Sequence, residues 1–193
     1  MNGKNNMWID YKNYKHFDLL EQLRDIALSE YDNKLNPHLV AESIKERYNQ
    51  LPWPPKVDWH LHPLIMNTEI NKDYNTYWPA STEFASKIPG LRSLNVNYVS
   101  PKTIIPDHKD DILELKQLES WRKKLGIVTM IGIDMPSNDV DVVGFHVNNI
   151  KKSWSTGDIV SFDGHQLHGG WNNSDKMRVT FYISIDKEYY DTI

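Results

Sequence analysis

The sequence predicts an α+β fold: a double-sheet jelly roll with N-terminal helices packed on one of its sheets. Three observations carry that expectation. Helical periodicity is confined to the first half of the chain. From Pro89 onward, short apolar or alternating runs follow one another at Gly, Pro and Asn turns. The last of these runs is apolar on one face and polar on the other, as suits a strand between a helical layer and a barrel interior.

The elements follow in order. His16 to Leu28 sets Phe17, Leu20, Leu23 and Ala27 on one helical face. Asn36-Pro37 reads as an N-cap with proline at the first helical position, and Val40, Ile44 and Tyr48 continue at helical spacing. Leu51 to Pro63 (LPWPPKVDWHLHP) carries too many prolines for a helix and is expected to be an extended stretch on the surface. Ser81 opens a short helical turn that ends at Ile88. Then strands are expected. Leu94, Val96 and Tyr98 alternate with Asn95, Asn97 and Val99, and Leu125 to Ile133 is apolar enough for a buried strand. Asp141 to Val147, Asp158 to Phe162 and Met177 to Ile185 complete the series. The expected organisation is one domain over 1–193, with 1–90 as helical and extended support and 91–186 as the β core.

Composition narrows the function. A chain of 193 residues with 39% hydrophobic and 25% charged residues is of ordinary globular make-up. A net charge of -4 argues against a nucleic-acid surface. Without cysteine, disulfides, thiolate metal sites and cysteine nucleophiles are excluded. Any metal must be held by His, Asp, Glu, carbonyl oxygen or water. No signal-peptide pattern or membrane-length apolar run is visible, so a cytoplasmic location is expected.

One constellation carries chemistry. In PDHKDD, His108 and Asp110 stand two residues apart on an extended segment and share a face. Alone, that pair is weak evidence. His168 follows beyond several strands, and Arg178 comes ten residues later on the last strand. Two imidazoles and a carboxylate form the facial triad of non-haem Fe(II) oxygenases and leave three coordination positions open, which a bidentate 2-oxo acid and O2 can fill. On the last strand Arg178, Thr180, Tyr182 and Ser184 share the polar face, so Arg178 points into the barrel. A buried arginine is costly unless an anion meets it, and its fork suits a carboxylate.

The stretches IPGLRSLNVNYVSPKTIIPDHKDD and SWSTGDIVSFDGHQLHGGWNNSDKMRVTFYISI resemble the aspartyl/asparaginyl β-hydroxylase family of 2-oxoglutarate oxygenases. The resemblance runs from about Ile88 to Asp186. It rests on a strand and turn before His108, then Trp154, Gly157, Phe162-Asp163, His168, Trp171 and Arg178. It implies a double-stranded β-helix of cupin-like form. It also implies Fe(II) on His108, Asp110 and His168, with His168 rather than His165 as second histidine. 2-Oxoglutarate would be held by Arg178, and the product would be a hydroxylated C–H with succinate and CO2 as by-products. Two departures stand out: Lys102 occupies the turn glycine's place, and Asp110 is present where the animal aspartyl hydroxylases lack a metal carboxylate. Asp110 makes the chain more like members acting on free amino acids, and favours hydroxylation over halogenation. The family's Arg-x-His pair falls near Val128 and Met130, which cannot bind a carboxylate. Tyr98, Thr129 and Ser184 are therefore the candidates for the second carboxylate contact.

The expected partners are O2 and a free amino acid or an Asp, Asn or Pro side chain in a peptide. Competing readings are desaturation or demethylation at the same centre, a cupin-like metal or small-ligand binding domain without turnover, and a nucleic-acid oxygenase. His60, His62, His146 and His165 read as hydrogen-bonding or solvent-facing histidines. Trp53, Trp59 and Trp78 read as packing residues, with the Pro/Trp-rich segment as the place for substrate recognition. Asp163 reads as an orienting carboxylate, and Arg92, Lys102 and Lys109 as solvated charges.

Overall fold

The computed structural model describes residues 7–31, 40–43, 57–110 and 126–191. Twelve strands occur among them: β1 (Trp8–Ile9), β2 (Glu42–Ser43), β3 (Trp59–Met66), β4 (Glu69–Ile70), β5 (Leu91–Val99), β6 (Thr103–His108), β7 (Ile127–Asp134), β8 (Val143–Val147), β9 (Ile150–Lys152), β10 (Ile159–Asp163), β11 (His168–Asn172) and β12 (Arg178–Ile185). Two α-helices occur among the described residues, α1 (Phe17–Tyr31) and α2 (Pro79–Ala85). An eight-stranded sheet runs β1-β10-β7-β12-β5-β3-β2 with β4 attached to β3, and a four-stranded sheet runs β6-β11-β8-β9. Every pairing is antiparallel. This is the expected α+β jelly roll of double-stranded β-helix form.

Three layers result. On the helical side of the large sheet, Leu20, Leu23 and Ala27 of α1 join Leu94, Val96, Ile131, Phe181 and Ile183 in one buried cluster. Between the sheets Val128, Met130, Phe145, Trp154, Val160 and Phe162 form another. Each buried aliphatic or aromatic side chain contributes about 1.5–3 kcal/mol. The β12 alternation places Val179, Phe181, Ile183 and Ile185 in the helical-side cluster, as expected. Phe17 alone leaves the predicted α1 face, being 36% exposed and edge-on to Tyr11.

Two expectations are corrected. Trp59–Met66 is not a surface segment but a strand inside the large sheet, with His62, Leu64 and Ile65 fully buried. Pro63 is tolerated because the ladder with β5 slips between Pro63 and Ile65, where the missing N–H is absorbed by a bulge. Glu42–Ser43, inside the helix expected from Pro37, pairs with Leu61 and His60 instead. The open edge of β3 offers backbone partners that local helical spacing does not reveal. The remainder of that helix, and Trp53, lie outside the described residues.

The turn at Lys102 keeps the left-handed backbone that glycine would supply, with φ +58°. The lysine is held there by Nζ hydrogen bonding to the Asn173 carbonyl (2.6 Å) and pairing with Asp175 (2.9 Å). Lys102 thus adopts a backbone conformation that glycine takes without strain. Among the described residues, no helix is long and apolar enough to cross a membrane.

A candidate metal centre between the two sheets

β6 and β11 are adjacent, antiparallel, and in a register that sets His168 directly opposite His108. Residues sixty apart in sequence thereby bring their rings to 4.4 Å between centroids. Asp110 lies just beyond β6, where its N–H bonds the Gly164 carbonyl at 3.3 Å. The ligand atoms of His108, Asp110 and His168 all lie within 4.8 Å of one another, so the three could hold one metal ion.

Each imidazole is oriented from behind. His108 Nδ1–H donates to the Pro106 carbonyl (2.7 Å), and His168 Nδ1–H donates to the Gln166 carbonyl (2.8 Å). A carbonyl only accepts, so both Nδ1 atoms carry hydrogen and both Nε2 atoms present lone pairs in the neutral ring. His168 Nε2 is buried with no hydrogen-bond partner, and stands 3.5 Å from Asp110 Oδ1. Such an orphaned acceptor facing a carboxylate fits a bound cation. Burial, then the neighbouring His168, lowers the His108 pKa. For His168 burial acts downward but is outweighed by Asp110, and the pKa is raised. For Asp110 burial acts upward but is outweighed by His168, His108 and the Tyr182 hydroxyl, and the carboxyl pKa is lowered. The donor set of two neutral imidazoles and one ionised carboxylate suits a divalent first-row metal.

Arg178, at the start of β12, is 2% exposed and lines the same cavity as His108 and His168. Its guanidinium lies 5.3 Å from the Trp154 ring centroid and 5.9 Å from that of Phe145. One Nη donates to the Gly144 carbonyl at 3.3 Å, while Nε has no partner. Among the described residues no carboxylate forms an ion pair with it. Burial alone pulls its pKa down to about 10. Thr180, next on the inward face, has a buried hydroxyl that is also unpartnered.

The other predicted cofactor contacts are not brought to Arg178. Tyr98 faces the helical layer, where its hydroxyl meets Trp78 Nε1 and His62 Nδ1, each at 3.2 Å. Thr129 hydrogen bonds Ser161 and Tyr190, each at 2.8 Å. Val128 and Met130, near which the family's Arg-x-His pair falls, take the inward positions of β7. Ser184 lies on the inward face of β12 but six residues from Arg178, about 20 Å along the strand. Asn97, Trp59 and Tyr182 also line the cavity; sequence reasoning assigned Asn97 no role, read Trp59 as packing, and set Tyr182 on the inward face without a role. The alternation of Asn95, Asn97 and Val99 was the available signal for Asn97.

His60, His62, His146 and His165 stand apart from the trio. His62 stacks on Tyr74 and Tyr77. His60 meets Asp58, His146 meets Asp107 (2.9 Å), and His165 meets Asp163 (2.9 Å). Arg92 is not a solvated charge: it grips Asp186 through Nε (2.7 Å) and Nη2 (2.6 Å).

Residues 21–188 match the family described as aspartyl/asparaginyl beta-hydroxylase. Among solved structures, the chain is similar to a prolyl-4-hydroxylase from Pseudomonas putida, at 9% identity over 94% of this chain and 90% of that one, TM-score 0.47. It is also similar to a 2OG-Fe(II) oxygenase family oxidoreductase from Burkholderia pseudomallei, at 12% identity over 77% and 80%, TM-score 0.44. A third likeness is the Cupin_2 domain of an XRE family transcriptional regulator from Enterobacter cloacae, at 8% identity over 66% and 95%, TM-score 0.40. No curated protein matches the chain.

Proposed function

The chain belongs to the aspartyl/asparaginyl β-hydroxylase family, and from that premise we propose that it is an Fe(II)- and 2-oxoglutarate-dependent dioxygenase hydroxylating an unactivated C–H. The proposed substrate is a free amino acid or an Asp, Asn or Pro side chain of a peptide. The observation that carries the reading is the pairing of an orphaned His168 Nε2, beside His108 and Asp110, with a buried Arg178 in the same cavity.

His108, Asp110 and His168 would hold the metal on one face and leave the opposite face to co-substrate and O2. Arg178 would take the far carboxylate of 2-oxoglutarate on its unpartnered Nε together with an Nη. Thr180 is a better second contact than Tyr98, Thr129 or Ser184, since its unpaired hydroxyl shares the inward face with Arg178 two residues away. When bound, iron with 2-oxoglutarate supplies the oxidising power, by reductive activation of O2 coupled to decarboxylation to succinate. The protein's part is positioning and exclusion. The carbonyls of Pro106 and Gln166 keep both Nε2 lone pairs aimed inward. Val99, Ile105, Met130 and Phe145 line the cavity and limit competing water. Trp59, over the His108 ring at 5.8 Å, stands at the cavity wall where a substrate would approach.

Anaerobic titration of metal-free protein with Fe(II) and 2-oxoglutarate tests the reading. A weak visible charge-transfer band is expected in wild type and not in His168→Ala. Amino acids and peptides are then screened by succinate release, with a product gain of one oxygen atom separating hydroxylation from desaturation or demethylation. A folded wild-type protein that gives no band overturns the proposal.

A further inference from the structure

We infer that Tyr182 and Gly164 together set the orientation of Asp110, holding its carboxylate so that one oxygen only is offered to the metal; this rests on the metal reading above. Asp110 lies past the end of β6, beyond the ladder that fixes His108. Its side chain is 17% exposed and needs other restraint. Two contacts supply it. The Tyr182 hydroxyl donates to Oδ2 at 2.9 Å. Behind the carboxylate stands Gly164, whose carbonyl accepts the Asp110 N–H. A Cβ on Gly164 would lie 2.7 Å from Oδ2 and 2.9 Å from Val128 Cγ2, so any side chain there must push the carboxylate aside.

The two oxygens of Asp110 are thereby made unequal. Oδ2 is occupied by a hydroxyl donor, and Oδ1 is the oxygen that faces His168 Nε2 at 3.5 Å. Rotation of the carboxylate would break the Tyr182 bond. The consequence is a coordination count. One oxygen from Asp110 and two imidazole nitrogens leave three positions of an octahedron. A chelating carboxylate would take one of the three that a bidentate 2-oxo acid and O2 require. Tyr182 also stands on the same face of the same strand as Arg178, four residues on, about 13 Å at strand spacing. One strand thus carries the residue that anchors the co-substrate's far end and the residue that sets the metal's carboxylate. Tyr182 is a positioning residue, acting through Asp110.

Co(II), a redox-stable probe, tests this by anaerobic titration of the full metal-free chain followed by its visible absorption. Tyr182→Phe is expected to raise the Co(II) Kd about 10–100-fold, the usual loss when a ligand's supporting hydrogen bond is removed, and to alter the band shape, with an unchanged far-UV spectrum. Gly164→Ala is expected to weaken Co(II) similarly through displacement of the carboxylate. In an Asp110→Ala background, Tyr182→Phe should change the affinity no further. Wild-type Co(II) affinity in Tyr182→Phe, or an effect that persists without Asp110, overturns the inference. An effect on 2-oxoglutarate binding with Co(II) affinity unchanged also overturns it, making Tyr182 a co-substrate contact. Should Asp110→Ala alone bind Co(II) as wild type does, the metal reading of Asp110 fails, and the inference with it.

Discussion

Replacing Arg178 with methionine should leave the empty protein at least as stable while abolishing its response to 2-oxoglutarate. Burial pulls the guanidinium pKa down from its ordinary value to about 10, and at roughly 1.4 kcal/mol per pKa unit the charge costs about 3 kcal/mol. The sign is that of a base whose folded pKa is depressed. The cost is full and pH-independent well below pH 10, and is relieved only as pH rises toward the unfolded value. Opposing it are one hydrogen bond to the Gly144 carbonyl, long at 3.3 Å and worth about 1 kcal/mol, and contacts with the Trp154 and Phe145 rings, worth together about 1 kcal/mol. Methionine keeps the packing and removes the desolvation, so the net change is about 1 kcal/mol in favour of the variant. For a chain of this size that raises Tm by about 2–4 °C. The assay is urea and thermal unfolding of the metal-free protein, repeated with Mn(II) and 2-oxoglutarate. Wild type should gain about 2.7 kcal/mol at a co-substrate concentration a hundred times its Kd, and Arg178→Met none beyond the metal's own share. A variant destabilised by more than about 2 kcal/mol in the metal-free state would refute the reasoning, because the guanidinium would then have a protein partner that it loses.

Other outcomes follow from the same geometry. Thr180→Val removes a buried, unpaired hydroxyl; metal-free stability should be unchanged or higher, while the 2-oxoglutarate Kd rises about 5–10-fold for one lost hydrogen bond, read by calorimetry. Phe181→Ala, at the fully buried junction of β12 and Trp78, should cost about 3–5 kcal/mol in urea unfolding. Asp186→Ala breaks the two-bond grip on Arg92 and should cost about 1–3 kcal/mol, measured the same way with and without high salt. Gly126→Ala would set a Cβ against the Ile185 carbonyl, far inside contact distance; the β7–β12 ladder should open there, with faster amide exchange at Ile127 and Ile185.

The candidate site was legible to the extent that its signals were local. Strand alternation alone turns Arg178 and Thr180 inward and Phe181 and Ile183 toward the helices, because successive side chains of a strand must face opposite ways. The same rule, applied to β5 and β7, would have put Asn97 and Met130 inside, and Tyr98 and Thr129 outside. Tyr98 and Thr129 were candidates for their chemistry, whereas their faces serve the helical layer. The helix expected from Pro37 shows the reverse case. Its spacing was local and helical, yet Glu42 and Ser43 pair with Leu61 and His60 on a strand edge, 19 and 17 residues away.

What the sequence by itself determined is the set of parts: the β-rich second half, the two histidines, Asp110, and an arginine on an inward strand face. Those follow from residue chemistry and from periods of two and 3.6, which neighbouring residues impose on one another. Tertiary structure alone decided how the parts meet. The register that sets His168 opposite His108, the glycine that leaves room for Asp110, and the Tyr182 hydroxyl on its second oxygen all join residues far apart in the chain. Such contacts depend on how strands pair and sheets close, and no local period encodes that.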